Sequence, residues 1–225
     1  NLGFEVIPVL EAYVDAAGGR LRGIRYGVSW HSDSQIPNIR TNPSEGLLLN
    51  SNFRKGYSCL RKYGLIFECW CYHTQIRDVI NLAYRFPNTQ LVLDHFGIPL
   101  GIGPFKGKSY EVFRQWSRDL KELANCENVV VKLGGINMPE NGFNWHLGSR
   151  PPSSDQLMMA TKQYFETTIE YFGVDRCMFE SNFPVDKISC SYSVLWNSFK
   201  LLTKNYSMDE KLKLFHDTAT TVYKL

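Results

Sequence analysis

Hydrophobic positions recur along this chain with two periods, and segments of the two kinds alternate. Val6, Val9, Leu10, Tyr13 and Val14 fall on one face of a helix over 5–17, stopped by Gly18-Gly19. A short strand covers 22–26, and an irregular stretch runs to residue 51. The next helix carries Phe53, Tyr57 and Leu60 and closes at Gly64. The apolar run 65–72 then reads as a buried strand. Helix 75–86, with Ile76, Val79, Ile80 and Ala83 on one face, ends before Pro87. Residues 90–96 form the third strand, and a Gly/Pro-rich loop leads to Lys108. Ser109 is placed to cap a helix bearing Val112, Phe113, Trp116, Leu120 and Leu123. Strand 128–133, a long loop over 134–153 and a helix over 154–172 follow, the helix opened by a Ser153/Gln156 capping box and closed by Gly173. Strand 176–182 and two helices complete the chain, the second helix opened by Ser207 and Glu210.

Strand and helix therefore alternate five times, the pattern of a parallel sheet with right-handed crossovers. The helix-to-strand turns are short. The strand-to-helix loops 27–51, 97–108 and 134–153 are long, and 183–190 is shorter. In a parallel sheet those loops all emerge at one end, where ligands bind in barrels and in doubly wound sheets alike. No repeat, linker or low-complexity tract divides residues 1–225, which read as a single domain.

Composition narrows the classes. The net charge of +3, spread along the chain without a basic block, gives no footprint for nucleic acid. No apolar run is long enough to span a membrane, and no signal-peptide pattern opens the chain. The six cysteines include no C-x-x-C pair, and three lie in apolar strand-like runs, which favours a reducing, cytoplasmic setting without disulfides.

Candidate chemistry collects at the strand C-termini. Alternation over 90–96 puts Leu91, Leu93 and His95 on one face and Asp94 on the other; with that face turned inward, His95 stands at the mouth of the cavity. Its alternative is a core histidine satisfied by a carbonyl. Met178, Glu180 and Asn182 share a face of the last strand, with Glu180 one layer deeper than Asn182. A buried Glu180 needs a partner, and Lys132, a lone charge in an apolar strand, is the natural one. The pair serves either catalysis or simple ordering of the interior. Arg25 and His73 add positive groups at the same rim, which suits a small anionic, carboxylate-bearing substrate, although Arg25 is equally suited to a salt bridge with a neighbouring strand. There is no G-x-S-x-G, Walker loop, strand-linked G-x-G-x-x-G or H-E-x-x-H.

The strings LVLDHFGIP (91–99), VVVKLGG (129–135) and MFESNFPVD (178–186), with RGIR (22–25), CWCYHTQ (69–75) and TATTVYKL (218–225), resemble the TIM-barrel amidohydrolase-related family of predicted metal-dependent hydrolases. That resemblance implies an α/β fold of the (β/α)8 barrel type, with substrate at the C-terminal face. It also implies a hydrolase acting on a lactone or related ester of a small carboxylated molecule. A decarboxylase of a small aromatic or unsaturated acid, and a non-catalytic fragment or binding protein, are the alternatives. His95 matches the family's sixth-strand histidine, and Asn182 stands where its eighth-strand aspartate is usual. Asparagine cannot serve as a general base, which leaves Glu180 or Asp186 for that part. The family's H-x-H pair does not occur in this sequence, and five β/α units are visible where a whole barrel of about 250 residues has eight. The expectation is a chain that begins inside the domain at Asn1 and lacks the first barrel strands. The family also implies one divalent metal, zinc or manganese, with His95 as a ligand, or chemistry that needs none. On this reading His95, Asn182 and Glu180 are catalytic, and Arg25, His73 and Lys132 bind substrate.

Overall fold

The computed structural model describes residues 2–39 and 41–225; Asn1, on which the expectation of a start inside the domain rests, lies outside them. Five strands form one parallel sheet among these residues, in the order β1 to β5: β1 Gly23–Gly27, β2 Ile66–Trp70, β3 Leu91–Leu93, β4 Val129–Leu133 and β5 Cys177–Phe179. Each strand pairs with the next in sequence, the neighbour order of consecutive β/α units in a barrel. The main helices are α1 Ile7–Ala17, α2 Ser51–Cys59, α3 Ile76–Arg85, α4 Ser109–Leu123, α5 Ser154–Phe172, α6 Tyr192–Leu202, α7 Met208–Leu212 and α8 Thr218–Tyr223. The capping boxes at Ser153/Gln156 and Ser207/Glu210 form as the sequence indicates. Ser109 does not cap; it is the first helical residue, and Lys108 precedes it without a side-chain cap.

The two faces of the sheet differ sharply. Phe67, Cys69, Leu91, Leu93, Val129, Val131, Cys177 and Phe179 belong to the main core, together with Ile76, Val79, Trp116, Leu120, Phe165 and Phe199 from the helices. The other face carries a smaller apolar layer, Ile66, Val92, Val130 and Met178, covered by Ala219, Val222 and Tyr223 of α8. The C-terminal helix thus lies across the concave side of the sheet. Arg22, just before β1, fastens its end by donating from Nε to the Tyr223 carbonyl (2.6 Å).

This division corrects the expected facing of β3. Leu91 and Leu93 point to the helices, so Val92 and then Asp94 point to the concave side. Regular pairing ends at Leu93, and the chain turns through left-handed backbone at His95 (φ 55°), Phe96 (φ 60°) and Gly97 (φ 67°). His95 reaches the mouth of the site through that turn and not through strand alternation. The six cysteines are all free and buried, and no helix among the described residues is long and apolar enough to cross a membrane.

Candidate active site

The strand C-termini bring together three carboxylates and three potential cations. From β1, Arg25 Nε meets Glu68 Oε2 of β2 at 2.7 Å and Asp94 Oδ2 at 3.3 Å. From β4, Lys132 Nζ meets Glu68 Oε1 at 2.8 Å, Asp94 Oδ1 at 3.3 Å and Glu180 Oε2 at 4.0 Å. His95 Nδ1 is in direct contact with Glu180 Oε1. The Tyr223 hydroxyl of α8 donates to Glu68 Oε1, and its ring lies under the Lys132 ammonium. With His95 protonated the six charges cancel.

Competing effects set the protonation states. Burial opposes the charge on His95, but the charge and hydrogen bond of Glu180, with a smaller contribution from Asp94, carry the ring above its ordinary value. Burial likewise resists the Glu180 carboxylate, yet the His95 charge and hydrogen bond, then Lys132 and Arg25, hold it below the usual range. Glu68 is held down to about 2 against burial by Lys132, Tyr223 and Arg25. Asp94 is raised, because its desolvation outweighs its cations. The result is an imidazolium–carboxylate pair, His95–Glu180, beside a second ion cluster.

Two glycines after β4 make room for this pair. A Cβ on Gly134 would run into the backbone carbonyl of Glu180, and one on Gly135, already at φ +71°, would run into the His95 ring. The string Gly134-Gly135 is therefore a backbone surface against which the two side chains are seated.

Above the cluster opens a cleft of about 800 Å³. Its lining includes Arg25, Trp70, His95, Met138, Asn182 and Ile188, drawn from the end of each strand or from the loop that follows it. The long loops foreseen at that end of the sheet build its walls. Arg25 remains half exposed there, whereas Lys132 is largely enclosed by carboxylates.

Of the residues singled out in the sequence, Arg25, His95, Lys132, Glu180 and Asn182 are brought to this end of the sheet. His73 is not at the rim. It is fully buried, accepts the Leu100 N–H at Nδ1 (3.2 Å) and packs edge-on to Phe105. Burial, with His31 adding to it, pushes His73 down to about 4, so it is neutral near pH 7 and offers no cation to a substrate. Lys132 pairs more closely with Glu68 and Asp94 than with the expected Glu180. Glu68, Asp94 and Tyr223 are site members that the sequence reading passed over. Glu68 carries the one available signal, a lone carboxylate inside the apolar run 65–72, the counterpart of lone Lys132 in its own strand.

A parallel sheet with its charged cluster and cleft at the strand C-termini is the arrangement of (β/α)8 barrel enzymes, and five sequential strands are consistent with part of such a barrel. The chain belongs to the amidohydrolase family, whose model matches residues 6–225. An uncharacterized protein of Sinorhizobium fredii, y4mH, is 34% identical over 209 residues, covering 91% of this chain and 61% of its own length. The L-fucono-1,5-lactonase of Burkholderia multivorans is 26% identical over 216 residues, covering 96% of this chain and 67% of the lactonase. Crystal structures of an amidohydrolase from Burkholderia multivorans, one with bound HEPES and one with bound zinc, superpose with a TM-score of 0.79 at 25% and 24% identity. Each superposition covers 97% of this chain and 70% of that one. The chain thus spans less than two thirds of the Sinorhizobium relative.

Zinc in that neighbour raises the question of a metal here. Among the described residues no three His, Cys, Asp or Glu side chains converge as a metal site would require. The carboxylates of Glu68, Asp94 and Glu180 are instead turned onto Arg25, Lys132 and His95. The described residues do not fit a divalent ion, and the positive charge at this site comes from the chain's own side chains.

Proposed function

We propose that residues 1–225 form one unit of an amidohydrolase-type barrel that hydrolyses a lactone or related ester of a small carboxylated molecule. The observation that carries this reading is the contact of Glu180 with buried His95, which lines the cleft. The kinship with a lactonase supports the substrate class.

In this reading the half-exposed Arg25 guanidinium anchors the substrate carboxylate, and Lys132 holds the carboxylates beneath it. The His95 imidazolium faces the lactone carbonyl and polarises it. Water attacks the carbonyl carbon and gives a proton to Glu180. The tetrahedral intermediate then breaks its ring C–O bond, and the leaving oxygen takes a proton from His95. Glu180 returns its proton to the adjacent His95, so each turnover consumes one water and releases one hydroxy acid. Asn182, with no acid–base function of its own, completes the site as a hydrogen-bonding group at the rim.

The test is product analysis with carboxylated lactones and aromatic acids offered to the 225-residue chain. Acid release without CO₂ supports the proposal. Release of CO₂ points to decarboxylation, and stoichiometric binding without turnover points to a binding protein.

A further inference from the structure

Asn182 sits at the rim of the cleft with positive φ (52°), two residues beyond Glu180 in the segment that follows β5. Its Nδ2 donates to Asp186 Oδ1 at 2.8 Å. Asp186 is fully buried, and its second oxygen, Oδ2, has no hydrogen-bond partner among the described residues. An ionised carboxylate only accepts hydrogen bonds, so the sense of the Asn182 amide is decided by chemistry: nitrogen toward Asp186, oxygen away from it. No group among the described residues donates to Asn182 Oδ1.

We infer that Asp186 is a positioning residue that locks the Asn182 amide with Oδ1 facing the cleft, so that the site selects a substrate bearing a hydroxyl group there. This inference rests on the hydrolase reading above and adds a substrate feature to it. A fixed neutral acceptor takes up no proton, so it contributes little to activating water, which falls to Glu180. It does suit a hydroxyl that must be held in place. A site committed to pairing a hydroxyl discriminates against the analogue that lacks one, since its own acceptor is then left dry. The lining also holds apolar Ile39, Trp70, Met138, Val185 and Ile188 beside polar Arg25, Thr41, His95 and Glu140, so the Asp186 variants are what isolate the part of Asn182.

The surroundings of Asp186 keep the lock in place at neutral pH. His95 from the turn after β3, Glu180 from the segment after β5, the backbone of Asn137 from the loop after β4 and the Cys190 thiol all act on or face this carboxyl. Burial pushes Asp186 up to about 6, against the hydrogen bond from Asn182 and the charge of His95. Below that pH the carboxyl is protonated and can itself donate, so the amide is no longer held in one sense.

Two measurements on the intact chain test this. In ¹⁵N-resolved NMR the Asn182 side-chain NH₂ pair, assigned by its loss in Asn182→Asp, should move markedly in Asp186→Ala. An unchanged pair overturns the lock. Calorimetric binding then compares a six-carbon polyhydroxy acid, L-fuconate, with hexanoate, which has no hydroxyl. Asp186→Ala should weaken L-fuconate three- to tenfold and leave hexanoate within about twofold. Asp186→Asn, which keeps the side-chain shape but can donate as well as accept, should weaken L-fuconate in the same direction and guards against a misfolded Ala variant. Parallel loss of both acids, no loss of either, or no binding of L-fuconate by the wild type overturns the inference. Both arms are read without turnover, so they fail or succeed independently of the hydrolase assignment.

Discussion

At His95 two large effects oppose each other, and the neighbour wins over the burial. Removing the Glu180 charge should reverse the outcome. In Glu180→Gln the His95 ring loses the interactions that raise it, burial dominates, and its pKa should fall below the ordinary 6.5. NMR titration of the ring reads this directly; an unchanged value would mean that the pair does not control the histidine. The linkage has a definite sign. A folded-state pKa raised above the unfolded one gives stability that is present below the unfolded value and lost as pH rises through the folded value. Glu180, held low, contributes above its unfolded value and loses that contribution as pH falls through the folded one. Wild type should therefore exceed Glu180→Gln in stability most in mildly acidic solution, with the gap narrowing toward alkaline pH. The residue types at this site were legible in the sequence, and several of their partners were not. Lys132 announced itself as a lone charge in an apolar strand, but choosing Glu180 as its nearest partner overlooked Glu68 on β2, two strands away on the same face. Tyr223 could not be read at all, because its contact with Glu68 spans 155 residues of sequence and depends on where the last helix lands.

The elements place these side chains through backbone features that hydrophobic periodicity does not encode. The alternation of strands with helices, the long loops at one end and two capping boxes were all readable from pattern and punctuation. The facing of β3 was not. The strand stops at Leu93, two residues before the histidine, and a run of positive φ takes over. Alternation rightly set Asp94 opposite Leu91 and Leu93, but the face of those leucines is the helix side, and His95 leaves it through the turn. His73 misled for a related reason: the loop over 97–108 folds back and covers it, and its Nδ1 is consumed by Leu100 N–H. The seat formed by Gly134 and Gly135 gives a prediction for the element. Gly135→Ala carries both a strained φ and a collision with His95, and should cost about 1–3 kcal/mol. Gly107→Ala, at φ +75° with open space around its Cβ, should cost only about 1 kcal/mol. Urea unfolding of the two variants compares them, and equal losses would show that the His95 contact carries no weight.

Across the whole molecule, the first and last strands of the sheet are joined on the concave side by the end of the chain. Helix α8 covers Ile66, Val92, Val130 and Met178, Arg22 holds its last turn, and Tyr223 delivers its hydroxyl to Glu68. The site thus has a floor made by the C-terminal helix and walls made by the loops. Tyr223→Phe keeps the apolar cover and deletes one hydrogen bond to a charged group, so it should destabilise by about 1.5–3 kcal/mol and let the Glu68 pKa rise from about 2. Denaturant unfolding and carboxyl NMR check the two effects; a variant as stable as wild type would separate the helix from the site. The proposed catalytic pair is His95 and Glu180, with His95 lining the cleft. Its most direct test is steady-state hydrolysis of L-fucono-1,5-lactone and carboxylated lactones by the chain and by His95→Ala. Loss of a general acid predicts a fall in kcat/KM of about 10²–10⁴-fold with the fold retained by circular dichroism. Wild-type turnover by the folded His95→Ala variant would contradict the assignment.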